Sequence, residues 1–367
     1  MRIGICLLGI RFGGGGIPTY VENLVDALSN IDQKNEYIIF IHAAFLSQFK
    51  LKQPGFTFEI CPIPQQQIKK TFLWQNTSLV SVIKRHKIDV MHYPGNLAPF
   101  FSPVPTVVTL HDVIPFYPDM VPFRFPFREI TKIVIANAAK KARKVITGSK
   151  TAKQEILKFM PVDEKKIEVI YHGIPKSVLK TETAISFQPL TPYILWTGRM
   201  VAYKNILHLI QAYHLLVQQK HIPHHLYLVG IPGDTYQSAC RLVNTLKMEH
   251  RIHFILDIPN EHIQSYYQNA SLFVFPSLVE GFGLPLLEAM ASGVPIVSSN
   301  IAVLKEIALD AACFVNPYDY RDVAEGMWRV LENRDFKRQL IQNGKKRLES
   351  FSWEMSAQKT LKVYQGL

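Results

Sequence analysis

Short apolar runs alternate with stretches of helical spacing along nearly the whole chain. Arg2 to Leu8 is an almost unbroken apolar run and is predicted to be a buried strand. Four glycines, Gly13 to Gly16, follow as a loop. Pro18 to Ser29 has the spacing of an amphipathic helix, with Pro18 in the first turn, where a missing N–H costs nothing. Further strands are predicted at Tyr37 to Ile41, Val90 to Tyr93, Thr106 to Leu110, Lys144 to Thr147 and Ile167 to Tyr171. Between them lie helices such as Ser78 to His86, Phe125 to Lys144 and Thr151 to Phe159. Gly173 to Pro192 has no sustained periodicity and holds Pro175, Pro189 and Pro192, which marks a hinge. The alternation then restarts: strands at Tyr193 to Thr197, His225 to Val229, Ile252 to Ile255, Ser271 to Phe275, Val294 to Ser298 and Cys313 to Val315. Helices are predicted at Asn205 to Gln219, through Val243, at Glu261 to Asn269 and at Leu284 to Ala291, and helical spacing then runs to the end.

Strands alternating with helices read as parallel α/β sheets, here as two doubly wound domains, residues 1–172 and 193–352, with a hinge over 173–192. Two such domains form a cleft between the carboxyl ends of their sheets, where ligands bind in these folds. The length of 367 residues suits two domains, and 48% hydrophobic with 19% charged residues is ordinary for a globular chain. Cys6, Cys61, Cys240 and Cys313 are scattered with no C-x-x-C pair, which argues against a zinc site or a disulfide framework and fits a reducing compartment. No run of about 18 apolar residues occurs, and the opening segment reads as a strand and not as a signal peptide, so a cytoplasmic location is expected. The net charge is +12, and +9 of it falls between Met1 and His172. That asymmetry favours an anionic partner for the first half. A nucleic-acid-binding protein would explain the charge and stays a remote alternative, but no helix-turn-helix, zinc finger or aromatic ribonucleoprotein signature is present, so nucleic acid is not the expected partner.

The most specific segment is Glu280 to Glu288, E-G-F-G-L-P-L-L-E, between the strand S-L-F-V-F and a helix. Gly281 and Gly283 permit a tight turn and close backbone approach. Leu284 and Pro285 open a helix whose free N–H groups and dipole suit a diphosphate. Glu280 precedes the turn and Glu288 lies one turn inside the helix, so the two carboxylates suit two different hydroxyl-bearing parts of one ligand. Arg199 and Lys204, just after the first strand of the second domain, are placed to neutralise a leaving diphosphate, one as a planar fork and one as a point charge. His111 and Asp112 end a strand at its carboxyl edge, where a histidine can meet a sugar hydroxyl or phosphate.

The nonapeptide resembles the E-x7-E element of retaining, nucleotide-sugar-dependent glycosyltransferases of family 4, which have the two-Rossmann GT-B architecture. The other landmarks follow in that family's order: Gly13 to Gly16 after the first strand, His111-Asp112 after T-V-V-T-L, then S-K-T-A-K-Q-E-I, V-I-Y-H-G-I and T-G-R-M-V-A-Y-K-N. The resemblance implies a GT-B fold with donor bound to the second domain, acceptor to the first, and helix 353–367 packed back onto the first. It implies donor contacts at Gly15, Gly16, Arg199, Lys204, Glu280, Gly281, Phe282, Gly283, Leu284 and Glu288, with His111, Arg199, Lys204 and Glu280 taking part in catalysis. It implies transfer of a hexose from a GDP- or UDP-linked donor, mannose first by likeness to bacterial mannosyltransferases of polysaccharide assembly, to a saccharide or lipid-linked acceptor. A sugar phosphorylase or a nucleotide-sugar epimerase on the same fold stays open as an alternative. No D-x-D triplet occurs, so no cofactor or metal is expected, the two cations and the helix tip standing in for an ion. Leu256-Asp257-Ile258 replaces a glycine common in the family near the base, and the base is therefore not defined. Finally, the Phe- and Pro-rich Pro115 to Pro126 precedes a helix bearing Arg128, Lys132, Lys140 and Lys141, a pattern that suits an anionic bilayer surface. Asp112, Arg124, Arg128 and Lys132 are the candidate acceptor or membrane contacts.

Overall fold

The computed structural model describes every residue except 11, 13, 50–52, 64–66, 119, 121–125, 179–188, 257 and 260–261, and the side chains of 68 and 177. The chain divides into two compact units. Unit 1 comprises residues 1–118, 123–173 and 352–367, and unit 2 comprises 119–122 and 174–351.

Unit 1 begins with β1 (Arg2–Cys6), α1 (Gly16–Ile31), β2 (Glu36–Ile41), β3 (Phe56–Ile60), α2 (Ile68–Asn76), α3 (Ser78–Arg85), β4 (Val90–Tyr93) and β5 (Thr106–Leu110). It continues with α4 (Phe127–Lys141), β6 (Lys144–Thr147), α5 (Lys150–Phe159) and β7 (Ile167–Val169). The sheet is parallel throughout, in the order β3-β2-β1-β4-β5-β6-β7. Runs such as Tyr37–Ile41 are buried along their length because helices cover both faces, which is why these strands read as continuous apolar segments. β3 and α2 escape the periodicity: β3 is an edge strand whose residues are mostly half-exposed, and α2 has little apolar contrast between its faces. The first residues of the expected Phe125 helix lie outside the described set, and the observed helix begins at Phe127.

Unit 2 repeats the scheme with β8 (Tyr193–Arg199), α6 (Ile206–Lys220), β9 (His225–Ile231), α7 (Tyr236–Thr245), β10 (Ile252–Leu256), α8 (Ile263–Gln268) and β11 (Leu272–Phe275). Then come α9 (Leu284–Ala291), β12 (Ile296–Ser299), α10 (Ala302–Ala308), β13 (Cys313–Val315), α11 (Tyr320–Glu332) and α12 (Arg334–Leu348). Its parallel sheet is ordered β10-β9-β8-β11-β12-β13, the same 3-2-1-4-5-6 order as the first six strands of unit 1, which adds β7 at the edge. In both units the first and fourth strands are neighbours and their connections leave in opposite directions.

The last helix, α13 (Trp353–Gln365), belongs to unit 1. Ser352 caps it, its hydroxyl accepting from the N–H groups of Glu354 and Met355. Trp353 stacks on His172 at 5.8 Å with the rings 8° apart, and the Tyr364 hydroxyl meets Nδ1 of His92 at 2.6 Å. Both aromatic rings are buried in the core beneath α1, so truncating either costs about 3–5 kcal/mol.

Candidate active site

In unit 2 the switch point lies between β8 and β11, and the loops leaving those two strands are laced together. Leu278 N–H donates to the Tyr203 carbonyl at 2.8 Å. Asn205 donates through Nδ2 to the carbonyls of Pro276 and Pro317 at 3.1 and 2.7 Å. Asn205 holds φ at 60°, a left-handed conformation that asparagine adopts more readily than most residues, so it can turn the chain sharply after Lys204. This lacing brings Lys204 Nζ to Glu280 Oε1 at 2.5 Å, with side chains only 13% and 10% exposed. The ammonium also sits 4.9 Å from the ring centre of Phe275 and 5.7 Å from that of Tyr203. An ammonium has three donors, so this pairing leaves two of them, and one carboxylate oxygen of Glu280, for a ligand. Removing one partner would strand a nearly buried charge.

Arg199 is the last residue of β8 and does not follow it, because Gly198↔Gly230 and Arg199↔Ile231 pairing extends the strand past Thr197. It is exposed and has no ion-pair partner among the described residues. Gly283 caps α9 at φ +97°, and a Cβ there would lie 2.8 Å from Leu304 Cδ2, so both conformation and space demand glycine. Gly281 and Leu284 are buried beside it, and Phe282 is buried edge-on against Phe351 at 5.9 Å, so its side chain packs the core. Glu288, one turn into α9, accepts from the Tyr267 hydroxyl at Oε2 over 2.8 Å. Burial raises the Glu288 carboxyl above its ordinary range, opposed by that hydrogen bond and by the charge of Lys204.

In unit 1 the corresponding strand ends carry glycines, a neutral histidine and one capping carboxylate. Gly15 caps α1 at φ +109° and Gly16 is its first residue, both exposed, with open space where a Cβ would stand. His111 follows β5 and is 9% exposed. Its N–H donates to Asn96 Oδ1 at 2.7 Å, and its Nε2 lies 2.8 Å from the Pro94 carbonyl. A carbonyl only accepts, so Nε2 carries the proton and Nδ1 is the acceptor of a neutral ring. Burial pushes the imidazole pKa down to about 4, which the Pro94 hydrogen bond offsets only in part. The ring therefore suits a donating sugar hydroxyl and not a phosphate oxygen. Asp112 caps the next turn, its Oδ1 accepting from Ile114 N–H at 3.0 Å.

Of the candidate membrane contacts, Arg128 and Lys132 both bind Glu129 at 2.8 Å, so neither is an unpaired surface cation. Arg124 and Asp257 lie outside the described residues. Among the described residues, no cluster of three or more His, Cys, Asp or Glu side chains could hold a metal ion. Thr197 and Asn205 lie at the two ends of the T-G-R-M-V-A-Y-K-N segment without being singled out there, and Asn96 and Tyr267 lie outside every motif.

Two doubly wound parallel sheets, with a paired lysine and glutamate at the switch point of the second, define the class of α/β proteins that bind ligands at the carboxyl ends of their strands. Residues 14–178 match the profile "Glycosyltransferase Family 4" and residues 182–347 the profile "Glycosyl transferases group 1", which together span most of the chain. The chain belongs to the family 4 glycosyltransferases, with the GT-B fold. It is 31% identical over 233 residues to O-antigen chain mannosyltransferase B of Escherichia coli, covering 62% of this chain and 61% of that protein. It is 32% identical over 216 residues to O-antigen chain mannosyltransferase RfbU of Salmonella typhimurium strain LT2, covering 58% and 57%. The matched stretch thus spans about three-fifths of each relative. Anabaena Alr3699/HepE, solved in complex with UDP and glucose, shares the fold at a TM-score of 0.77 with 18% identity, covering 100% of both chains.

Proposed function

We propose that this protein moves a hexose from a nucleoside-diphosphate sugar to a saccharide or lipid-linked acceptor in cell-surface polysaccharide or glycolipid synthesis, with retention at the anomeric carbon. The observation that carries the reading is the Lys204–Glu280 pair at 2.5 Å, which follows exposed Arg199 at the end of β8, on the carboxyl edge of a nucleotide-binding type of sheet. Two remaining ammonium donors and the Arg199 guanidinium neutralise the diphosphate, while the free oxygen of Glu280 accepts from a sugar hydroxyl. Glu288 accepts from a ribose hydroxyl. In unit 1, Gly15 and Gly16 approach the donor through their amides, and His111 Nδ1 accepts from the donor sugar.

Retention is what the resemblance to the family implies, and it needs no enzyme nucleophile. The bond from the anomeric carbon to the diphosphate oxygen breaks, and the charge that develops on that oxygen is met by Lys204 and Arg199. The acceptor oxygen attacks the same face, and its proton passes to the departing diphosphate. Because protein cations carry that charge, turnover persists in EDTA. GDP-mannose leads the donors, supported by the likeness to the two O-antigen mannosyltransferases, and UDP-sugars come next, supported by the UDP complex of the shared fold.

A peripheral site on an anionic membrane, at the cytoplasmic face, is supported by unit 1. The outer side of α4 exposes Phe127, Ile130 and Ile133 at 60%, 52% and 62%, a stripe at helical spacing that ends in Lys140 and Lys141. Lys141 Nζ donates to the Phe100 carbonyl at 2.7 Å, which sets exposed Phe100 and Phe101 beside the end of that stripe. Among the described residues no helix is long and apolar enough to cross a membrane.

The decisive experiment supplies GDP-mannose or a UDP-sugar with and without acceptor. Nucleoside diphosphate released only with acceptor, in the presence of EDTA, and a product of unchanged anomeric configuration by NMR are expected. Sugar isomerisation without acceptor would establish the epimerase alternative, and consumption of inorganic phosphate the phosphorylase.

A further inference from the structure

Among the described residues, Tyr267 ties the Glu288 carboxylate to the strand carrying Arg199. Its side chain is fully buried on α8, with its ring 5.2 Å from that of Phe273. Its hydroxyl lies 2.8 Å from Glu288 Oε2 and 2.7 Å from Thr197 Oγ1 on β8. The direction of these bonds follows from proton counting. An ionised carboxylate only accepts, so the single phenolic proton goes to Glu288; the Thr197 hydroxyl must then donate to the phenolic oxygen. The result is an ordered relay, Thr197 to Tyr267 to Glu288, made of a buried threonine, a buried tyrosine and a half-buried carboxylate.

Packing alone does not need it. Phenylalanine at 267 would make the same ring contact, and valine at 197 would fill the same strand position. What the two hydroxyls add is a fixed carboxylate: a glutamate with three side-chain torsions is held through one oxygen, leaving the other in a defined place. We infer that Tyr267, set by Thr197, is a positioning residue for donor binding that holds Glu288 through Oε2 and leaves Oε1 to accept from a ribose hydroxyl. This rests on the reading of Glu288 given above.

The test is a binding cycle by calorimetry on the full chain, using whichever of GDP and UDP binds tighter together with its 2′,3′-dideoxy counterpart. Wild-type protein is expected to prefer the ribose form by roughly tenfold or more, the scale of a hydrogen bond to a charged group. Glu288→Gln is expected to remove most of that preference. Tyr267→Phe is expected to shrink it several-fold by weakening the ribose ligand while leaving the dideoxy ligand within about twofold, and Thr197→Val to act in the same direction by a smaller factor. A general loss of structure would instead weaken both ligands alike in Tyr267→Phe and Thr197→Val, and that result overturns the positioning role. If Glu288→Gln abolishes the preference and both hydroxyl variants keep it, the relay is wrong while the role of Glu288 stands. If Glu288→Gln keeps the preference, or neither ligand binds wild type, the reading of the site itself fails and the relay with it.

Discussion

Near the strand ends of unit 1 lie His92, His111 and His172, buried and neutral; at those of unit 2 lie Lys204, Glu280 and Glu288, a paired cation and carboxyl groups. Six strands follow the same order in both sheets, so the difference at these strand ends is one of side chains and not of architecture. In unit 1, burial drives the imidazoles down, His92 to about 3, His111 to about 4 and His172 well below the ordinary value. In unit 2 the same desolvation pushes the Glu288 carboxyl up, and a lysine and a tyrosine hydroxyl hold it back. A fold that offers the same strand ends twice can thus bury neutral imidazoles on one copy and a charged ammonium–carboxylate pair on the other. On the reading proposed here, a diphosphate falls to the charged copy. The surfaces differ as well. Unit 1 carries the apolar stripe on α4, whereas the exposed large apolar side chains of unit 2, such as Leu190, Leu309 and Tyr318, are far apart in sequence and form no helical stripe.

The sharpest way to break this contrast is to remove charge from unit 2. Lys204→Ala and Arg199→Ala should each lower turnover by about 10²-fold or more, as expected when a group that stabilises developing charge is lost. Near-normal kcat in both variants would strip the charged copy of its role. Lys204→Ala also leaves Glu280 nearly buried without its partner, so its thermal stability should fall where that of Arg199→Ala does not.

Acid should separate the strand ends β4 and β5 from β8 and β11 next. A buried histidine whose folded pKa lies below the unfolded 6.5 binds its proton later than the unfolded chain does. Its contribution is therefore intact above pH 6.5 and is lost as pH falls toward the folded value, about 3 kcal/mol for His111 alone. Glu288 has the opposite sign, since its raised pKa makes the folded state the better proton binder as pH falls. Hydrogen exchange, corrected for intrinsic rates, should show β4 and β5 losing protection between pH 7 and 4.5 ahead of β8 and β11. Simultaneous loss in both sheets would contradict the assignment.

The smallest effect concerns the surface. Replacing Phe127, Ile130 and Ile133 together by serine should reduce flotation with anionic vesicles about tenfold while leaving turnover on a water-soluble acceptor unchanged. Equal recovery of both proteins, or equal recovery with neutral and anionic vesicles, would remove the bilayer from the account.

Much of the fold is legible in the residue pattern, because a parallel strand covered on both faces is apolar along its length. The strands β2, β4, β5, β6 and β11 announce themselves that way. Edge strand β3 and helix α2 do not, since a half-solvated element keeps too little apolar contrast to stand out. The glycine at 283 is legible too: a turn into a helix with φ +97° has one comfortable occupant. In the site, Lys204 and Glu280 can each be picked out in its own motif, but nothing local says that they bond. They are 76 residues apart and meet because β8 and β11 are neighbours in the sheet. The same holds for Tyr267 with Thr197, 70 residues apart, and for His92 with Tyr364, 272 apart. Spacing along the chain determined which segments are strands and helices and where the chemistry-bearing residues stand, because those depend on neighbours within a turn or two. Which proton each histidine keeps, which cation is already spent on a carboxylate, and which hydroxyl holds Glu288 were decided only by tertiary structure, because burial and hydrogen-bond partners come from strands and helices that are distant in sequence.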